Sequence, residues 1–201
     1  MKKLLFLFSL VFMLASCGCC HKKEEVKPTQ QDSTIVADSV IKADLDSMVA
    51  KYGDKDFRWY ESLILTENYL DEDSDIKIAE LVNVYQIAEG GDPYVYKTQH
   101  VPGATYTDSI KGFWIEDFPL NYADLKVSYD SACAIVAKVN FPVPHSRHIC
   151  LRNPMGPMAC NPQWVFGNTQ KQIWVDAVTG DTSDSNPAFP KGFKMPLGEW
   201  P

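Results

Sequence analysis

The sequence predicts an α+β fold in which helices pack on an antiparallel sheet. Two segments, residues 39–52 and 128–139, carry apolar side chains at helical spacing. Each is followed by short runs rich in aromatic and β-branched residues, punctuated by turn signals. Helices therefore precede groups of hairpin-connected strands instead of alternating with them, which argues against a doubly wound parallel sheet.

The first helix is read from Ile41, Leu45, Met48, Val49 and Tyr52, which fall on one face of a 3.6-residue period. Asp38 or Ser39 can cap it, and Gly53 suits its end. Residues 57–66 and 76–88 read as strands, joined by an acidic turn at 71–75. Gly90-Gly91-Asp92-Pro93 marks a second turn, and short strands are expected at 94–96 and 113–115. The Gly-, Thr- and Ser-containing stretch 100–112 reads as a loop.

The second helix has Ala132, Ile135, Val136 and Val139 as its stripe and Ser128 as its N-cap. Pro142 and Pro144 forbid its continuation. Strands are expected at 147–152, 163–166 and 172–178. In the turn Asp176-Ala-Val-Thr-Gly180, Gly180 can take a positive φ while the Asp or Thr oxygens bond the turn amides. Residues 182–201 form a Pro- and Gly-rich tail, tacked down by Phe189, Phe193, Met195, Leu197 and Trp200.

Composition narrows the class. In 201 residues, 45% hydrophobic and 22% charged content fits one globular domain or two small ones, and excludes a disordered, collagen-like or coiled-coil chain. The formal net charge is −7. Loss of Lys2 and Lys3 with a leader takes it to about −9, so a phosphate backbone would repel the chain and nucleic acid is not an expected partner.

Residues 1–16 have the form of a secretory signal: Lys2 and Lys3, an apolar run from Leu4 to Leu14 broken by Ser9, then small residues. The run is about eleven residues, ~16 Å as a helix, roughly half a bilayer core, so it is too short to span. Leu14-Ala15-Ser16-Cys17 resembles the bacterial lipobox, which implies acylation of Cys17, palmitate among the chains, and membrane anchoring. Gly18 in place of Asp after that cysteine is unlike an inner-membrane retention signal. The expected location is thus the cell envelope, with the outer membrane favoured over the inner. Lys23-Glu24-Glu25 resembles the export signal of Bacteroidota surface lipoproteins. Residues 17–36 then read as the lipidated cysteine and a polar tether, and 37–127 as an N-terminal α+β half.

Residues 128–181 resemble a PepSY module. The motifs are Val175-Asp176-Ala177-Val178-Thr179-Gly180-Asp181, similar to that family's closing strand, and Asn161-Pro162-Gln163-Trp164-Val165-Phe166-Gly167, similar to its central strand. The resemblance implies a helix followed by β-hairpins, and non-catalytic binding or inhibition of a peptidase or envelope partner. The repeated helix-then-strands order also allows two related halves.

No Gly-rich phosphate loop, Gly-x-Ser-x-Gly or His-Glu-x-x-His is present, so no catalytic residue and no cofactor is nominated. Residues 145–160 hold the richest cluster of reactive side chains. Cys150 and Cys160 can close a disulfide loop in an exported protein. Alternatively His148, Cys150, Met155, Met158 and Cys160 supply the donor types of a soft-metal or redox site. Binding-face candidates are Trp164 and Phe166, which share a strand face or serve as core, with Trp174, Arg147 and Arg152.

Overall fold

The computed structural model describes residues 24–25, 34–53, 55–72 and 75–192. Residues 1–16, with the expected signal, Cys17, and the tail residues Phe193, Met195, Leu197 and Trp200 lie outside the described residues. The strands are β1 (Glu24–Glu25), β2 (Phe57–Thr66), β3 (Ile78–Glu89), β4 (Asp92–Val101), β5 (Ala104–Lys111), β6 (Asp117–Phe118), β7 (His148–Pro154), β8 (Gln163–Gly167), β9 (Gln172–Asp176) and β10 (Thr182–Ser183). Helix α1 spans Ala37–Tyr52 and α2 spans Tyr129–Val136. None of the described helices is long and apolar enough to cross a membrane.

The expected α+β class and antiparallel sheet are both present. One sheet runs β1-β5-β4-β3-β2-β7-β8-β9-β10, with β6 paired to β7 off this path. Strands β2 to β5 form one meander and β7 to β10 another. Their first strands, β2 and β7, pair antiparallel and join the two into one sheet.

Both helices contribute to a single core on one face of this sheet. From α1 come Ile41, Leu45, Met48 and Tyr52, and from α2 Ala132 and Val136. The strands answer with Ile64, Leu81, Ile149, Trp164, Phe166 and Val175 among others. Burying each large side chain contributes roughly 1.5–3 kcal/mol against its exposed state. Val49, expected on the buried stripe, is instead 51% exposed, because it sits at the margin of the apolar arc.

Capping departs from expectation at one helix and follows it at the other. Ser128 caps α2, its hydroxyl accepting the Ser131 N–H at 3.1 Å. At α1 the N-cap is Val36, with no side-chain bond. Asp38 instead turns to α2, where its carboxylate accepts the Tyr129 N–H at 3.1 Å. One acid thereby satisfies an orphan amide of the neighbouring helix and ties the two together. The closing turn matches its reading: Asp176 accepts the Val178 and Thr179 N–H groups at 2.8 and 2.9 Å, and Gly180 has φ +81°. Although partial burial favours its neutral form, these amides and the Asn161 and Gln163 side chains hold Asp176 below the usual carboxylate range.

Two segments exchange roles. Residues 104–111, expected within a loop, form β5 through a full ladder to β4. Residues 113–115, expected as a strand, join no ladder, and Phe113 and Ile115 are 69% and 78% exposed. Glu24–Glu25, expected in a tether, pair with Tyr106 and Thr107 of β5.

Candidate functional site

The two faces of the sheet differ. The helices cover one. The other carries a groove of about 360 Å³ over the β2–β7 junction, its apolar lining including Leu63, Leu65, Val82 and Val165. Glu61 and Arg152 stand at one end, while Glu80 and His148 also line it.

A backbone irregularity places Glu61 there. Trp59 and Glu61 are two residues apart and would share a face of a regular strand. The ladder to β3 shifts register between them, so Trp59 pairs with Tyr85 and Glu61 with Val84. The extra residue, Tyr60, sends Trp59 into the helix-side core and turns Glu61 to the other face. Trp59 also donates its indole N–H to the Glu61 carbonyl at 3.1 Å, which fixes the bend from inside.

On the neighbouring strand Arg152 lies directly opposite Glu61 and Cys150 opposite Leu63. The chain between β5 and β6 crosses this end of the face. There the Trp114 N–H bonds the Gln86 side chain at 2.9 Å, and Asp117 arrives with no exposed side-chain surface. Arg152 Nε donates to Asp117 Oδ1 at 2.8 Å, while Asp117 Oδ2 is buried with no hydrogen bond to it among the described residues.

Two carboxyl groups thus share one guanidinium. Burial raises the Asp117 carboxyl above its ordinary value, although Arg152 opposes the shift. Glu61 is 4% exposed, and burial, opposed by Arg152 and reinforced by Asp117 and Glu116, pushes its carboxyl up to about 7. The Cys150 thiol, a weak donor, lowers it slightly. Burial and the Glu61 charge in turn push the Cys150 thiol far up, so that cysteine is neutral and a poor nucleophile.

The predicted site residues are largely kept apart. Cys150 and Cys160 are both free, so the expected disulfide is corrected. Cys150 is held mid-strand opposite Val165, whereas Cys160 lies by the Pro154 carbonyl, 3.9 Å away, past the end of β7. Four residues of strand separate Cys150 from Pro154, ~13 Å of rise. The soft-metal set is also dispersed. His148 and Cys150 line the groove, but Met155 and Met158 are exposed in the β7–β8 connection. Among the described residues no three His, Cys, Asp or Glu converge as metal ligands.

Trp164 and Phe166, offered as contact or core, are core, 1% and 0% exposed. Trp164 donates to the Val127 carbonyl at 2.9 Å. Trp174 pairs with Val165 and is also buried. Arg147 caps the Thr66 carbonyl at 2.6 Å, a structural role. Arg152 alone of these candidates both lines the groove and joins its charged cluster. Sequence reasoning missed Glu61 and Asp117. A lone acid inside the apolar run 57–66 was the available signal for Glu61, but its partner lies 91 positions away.

A second buried polar network lies on the helix side. Asp44 of α1 accepts from Asn83 Nδ2 at 2.7 Å and the Tyr85 hydroxyl at 2.8 Å, with His100 Nε2 3.3 Å off. Ser62 bonds Asn83 from β2. Burial and the Asp44 charge push the Tyr85 hydroxyl upward, so it remains a donor. This network ties α1 to the sheet and reaches none of the groove's charges.

Searches for similar proteins find no matching family model, no matching curated protein and no matching solved structure.

Proposed function

We propose that this protein is a lipid-anchored binding module of the cell envelope, attached through Cys17, which engages a protein partner on its open sheet face and performs no chemistry. One observation carries the reading: helices cover one face of the sheet, while the other bears an apolar-lined groove at the β2–β7 junction. Concave, largely apolar surface with a few fixed polar groups is what binding sites present. The groove's thiol is held neutral, which suits recognition better than nucleophilic attack.

The helix-then-meander order of each half and their β2–β7 junction support two related, PepSY-like halves. The lipobox resemblance supports an envelope location, outer membrane before inner, with the anchor holding the open face near its partner.

The test is site-specific photo-crosslinking of the full-length protein in its own cells. A photoreactive residue at Leu63, on the open face, is expected to give a discrete protein adduct, whereas one at the exposed Val49 of α1 gives none. Fatty-acid labelling lost on Cys17→Ser checks the anchor. Adducts from Val49 and none from Leu63 would put the binding surface on the wrong side of the sheet.

A further inference from the structure

The groove has an unbalanced charge at its end. Among its described lining residues Arg152 is the only lysine or arginine, and its Nε–H is committed to Asp117. Glu61, 4% exposed, faces the same end, where the Arg152 charge and the Cys150 thiol act on its carboxyl. Glu80 lines the wall and accepts from the Gln99 amide at 2.9 Å. Glu116 lies close enough to act on Glu61. An anion entering here would meet the charges of Glu61 and Glu80 beside an arginine that Asp117 already part-neutralises. A cation would add a charged donor to Glu61, inside a partly desolvated groove where a charge-assisted hydrogen bond is stronger than in water.

We propose that the groove receives a basic side chain, lysine or arginine, from an extended segment of the partner protein, with its cation on the Glu61 carboxylate and its apolar neighbours against Leu63, Leu65 and Val82. The inference rests on the open-face reading above and names the partner's chemistry. The methylene stem of a lysine or arginine suits the apolar lining while its head reaches the acid. A protein segment is favoured because the groove is short and mostly apolar, and it provides for one cation instead of a row of them.

The consequence for pH follows from the groups around Glu61. Arg152 and Cys150 face it from β7, and Asp117 and Glu116 from the crossing chain. Binding a cation requires the carboxylate, so affinity rises with pH through about 7, where Glu61 loses its proton. His148 and Glu80 are the other ionisable groups on the groove wall, and substitution of Glu61 tells its contribution from theirs.

The experiment uses the full-length protein in a non-ionic detergent and the peptide acetyl-Val-Lys-Val-amide, followed by NMR titration at pH 6 and pH 8. Peptides with norleucine or glutamate in place of lysine serve as comparisons. The lysine peptide is expected to bind roughly tenfold more tightly than either at pH 8 and to weaken by several-fold at pH 6. Glu61→Gln should abolish both the preference and that pH dependence. Leu63→Lys, which places a lysine on the same face two residues from Glu61, should block the peptide in an otherwise folded chain.

Equal binding of the three peptides, no binding of the lysine peptide, or a preference that survives both substitutions overturns the inference. The open-face reading fails separately, by the absence of a Leu63 adduct. A Leu63 adduct to a segment without a basic residue would keep that reading and sink this one.

Discussion

Glu61 and Arg152 are directly paired across the two central strands, yet Arg152 gives its Nε–H to Asp117 instead. The acid opposite the arginine feels its charge without being its Nε–H acceptor. Burial, more than Arg152 can offset, raises the Glu61 carboxyl to about 7, and the Arg152 bond makes Asp117 a buried anchor for the chain crossing the face.

Glu61 should therefore impose a measurable pH slope on stability. Its folded value of about 7 lies above its ordinary 4.5, so between these values the folded state binds more protons than the unfolded state. Stability then falls as pH rises from about 4.5 through 7 and levels off above. This interval corresponds to roughly 3 kcal/mol. Relative to wild type, Glu61→Gln should gain stability as pH is raised from 5 to 8. Urea unfolding of both proteins at the two pH values checks it, and parallel stability curves would refute the buried setting of Glu61.

Arg152 is expected to matter more for folding than a surface arginine would. Removing it leaves Asp117 with no charged partner and no exposed side-chain surface. Arg152→Leu should cost about 3–5 kcal/mol, the scale for stripping one member from a buried ion pair. Adding Asp117→Asn should recover part of that loss, because the stranded charge is then gone. Strictly additive losses in the double variant would mean that the two residues do not act as a pair.

Helical spacing located α1 and α2, and apolar runs located β2, β8 and β9, because each of these buries a face in the core. β5 was hidden because its helix-side positions are Thr105, Thr107 and Ser109. Its pairing to β4, not burial of an apolar stripe, makes it a strand. Phe113 and Ile115 misled in the opposite sense, being apolar without being buried. Arg152 was picked out by residue type alone. The groove as a site needed the β2–β7 register and the Tyr60 bulge, and both depend on contacts distant in sequence.

The helix-side network gives a third expectation. Asp44 is 9% exposed and collects donors from Asn83 and Tyr85. Asp44→Ala would leave both donors buried and unpaired beneath α1, at a cost of roughly 2–5 kcal/mol for two groups. Asp44→Asn keeps one acceptor oxygen and should cost less. Thermal unfolding of the two variants gives the order, and the open-face crosslink at Leu63 should persist in both when they are folded.

The cysteines supply the last test, because two sites differ sharply in chemistry. Burial pushes the Cys133 thiol up to about 11 and takes Cys150 higher still. Cys160 is raised as well, but it lies in the β7–β8 connection. Thiolate is the reacting species, so at pH 8 the folded protein should alkylate at Cys160 well before Cys133 or Cys150. In denaturant without reductant, all three should alkylate, since none is in a disulfide. Peptide mapping by mass spectrometry reads both experiments. Protection of Cys150 and Cys160 together until a reductant is added would restore the disulfide between them, and with it a different arrangement of the β7–β8 hairpin.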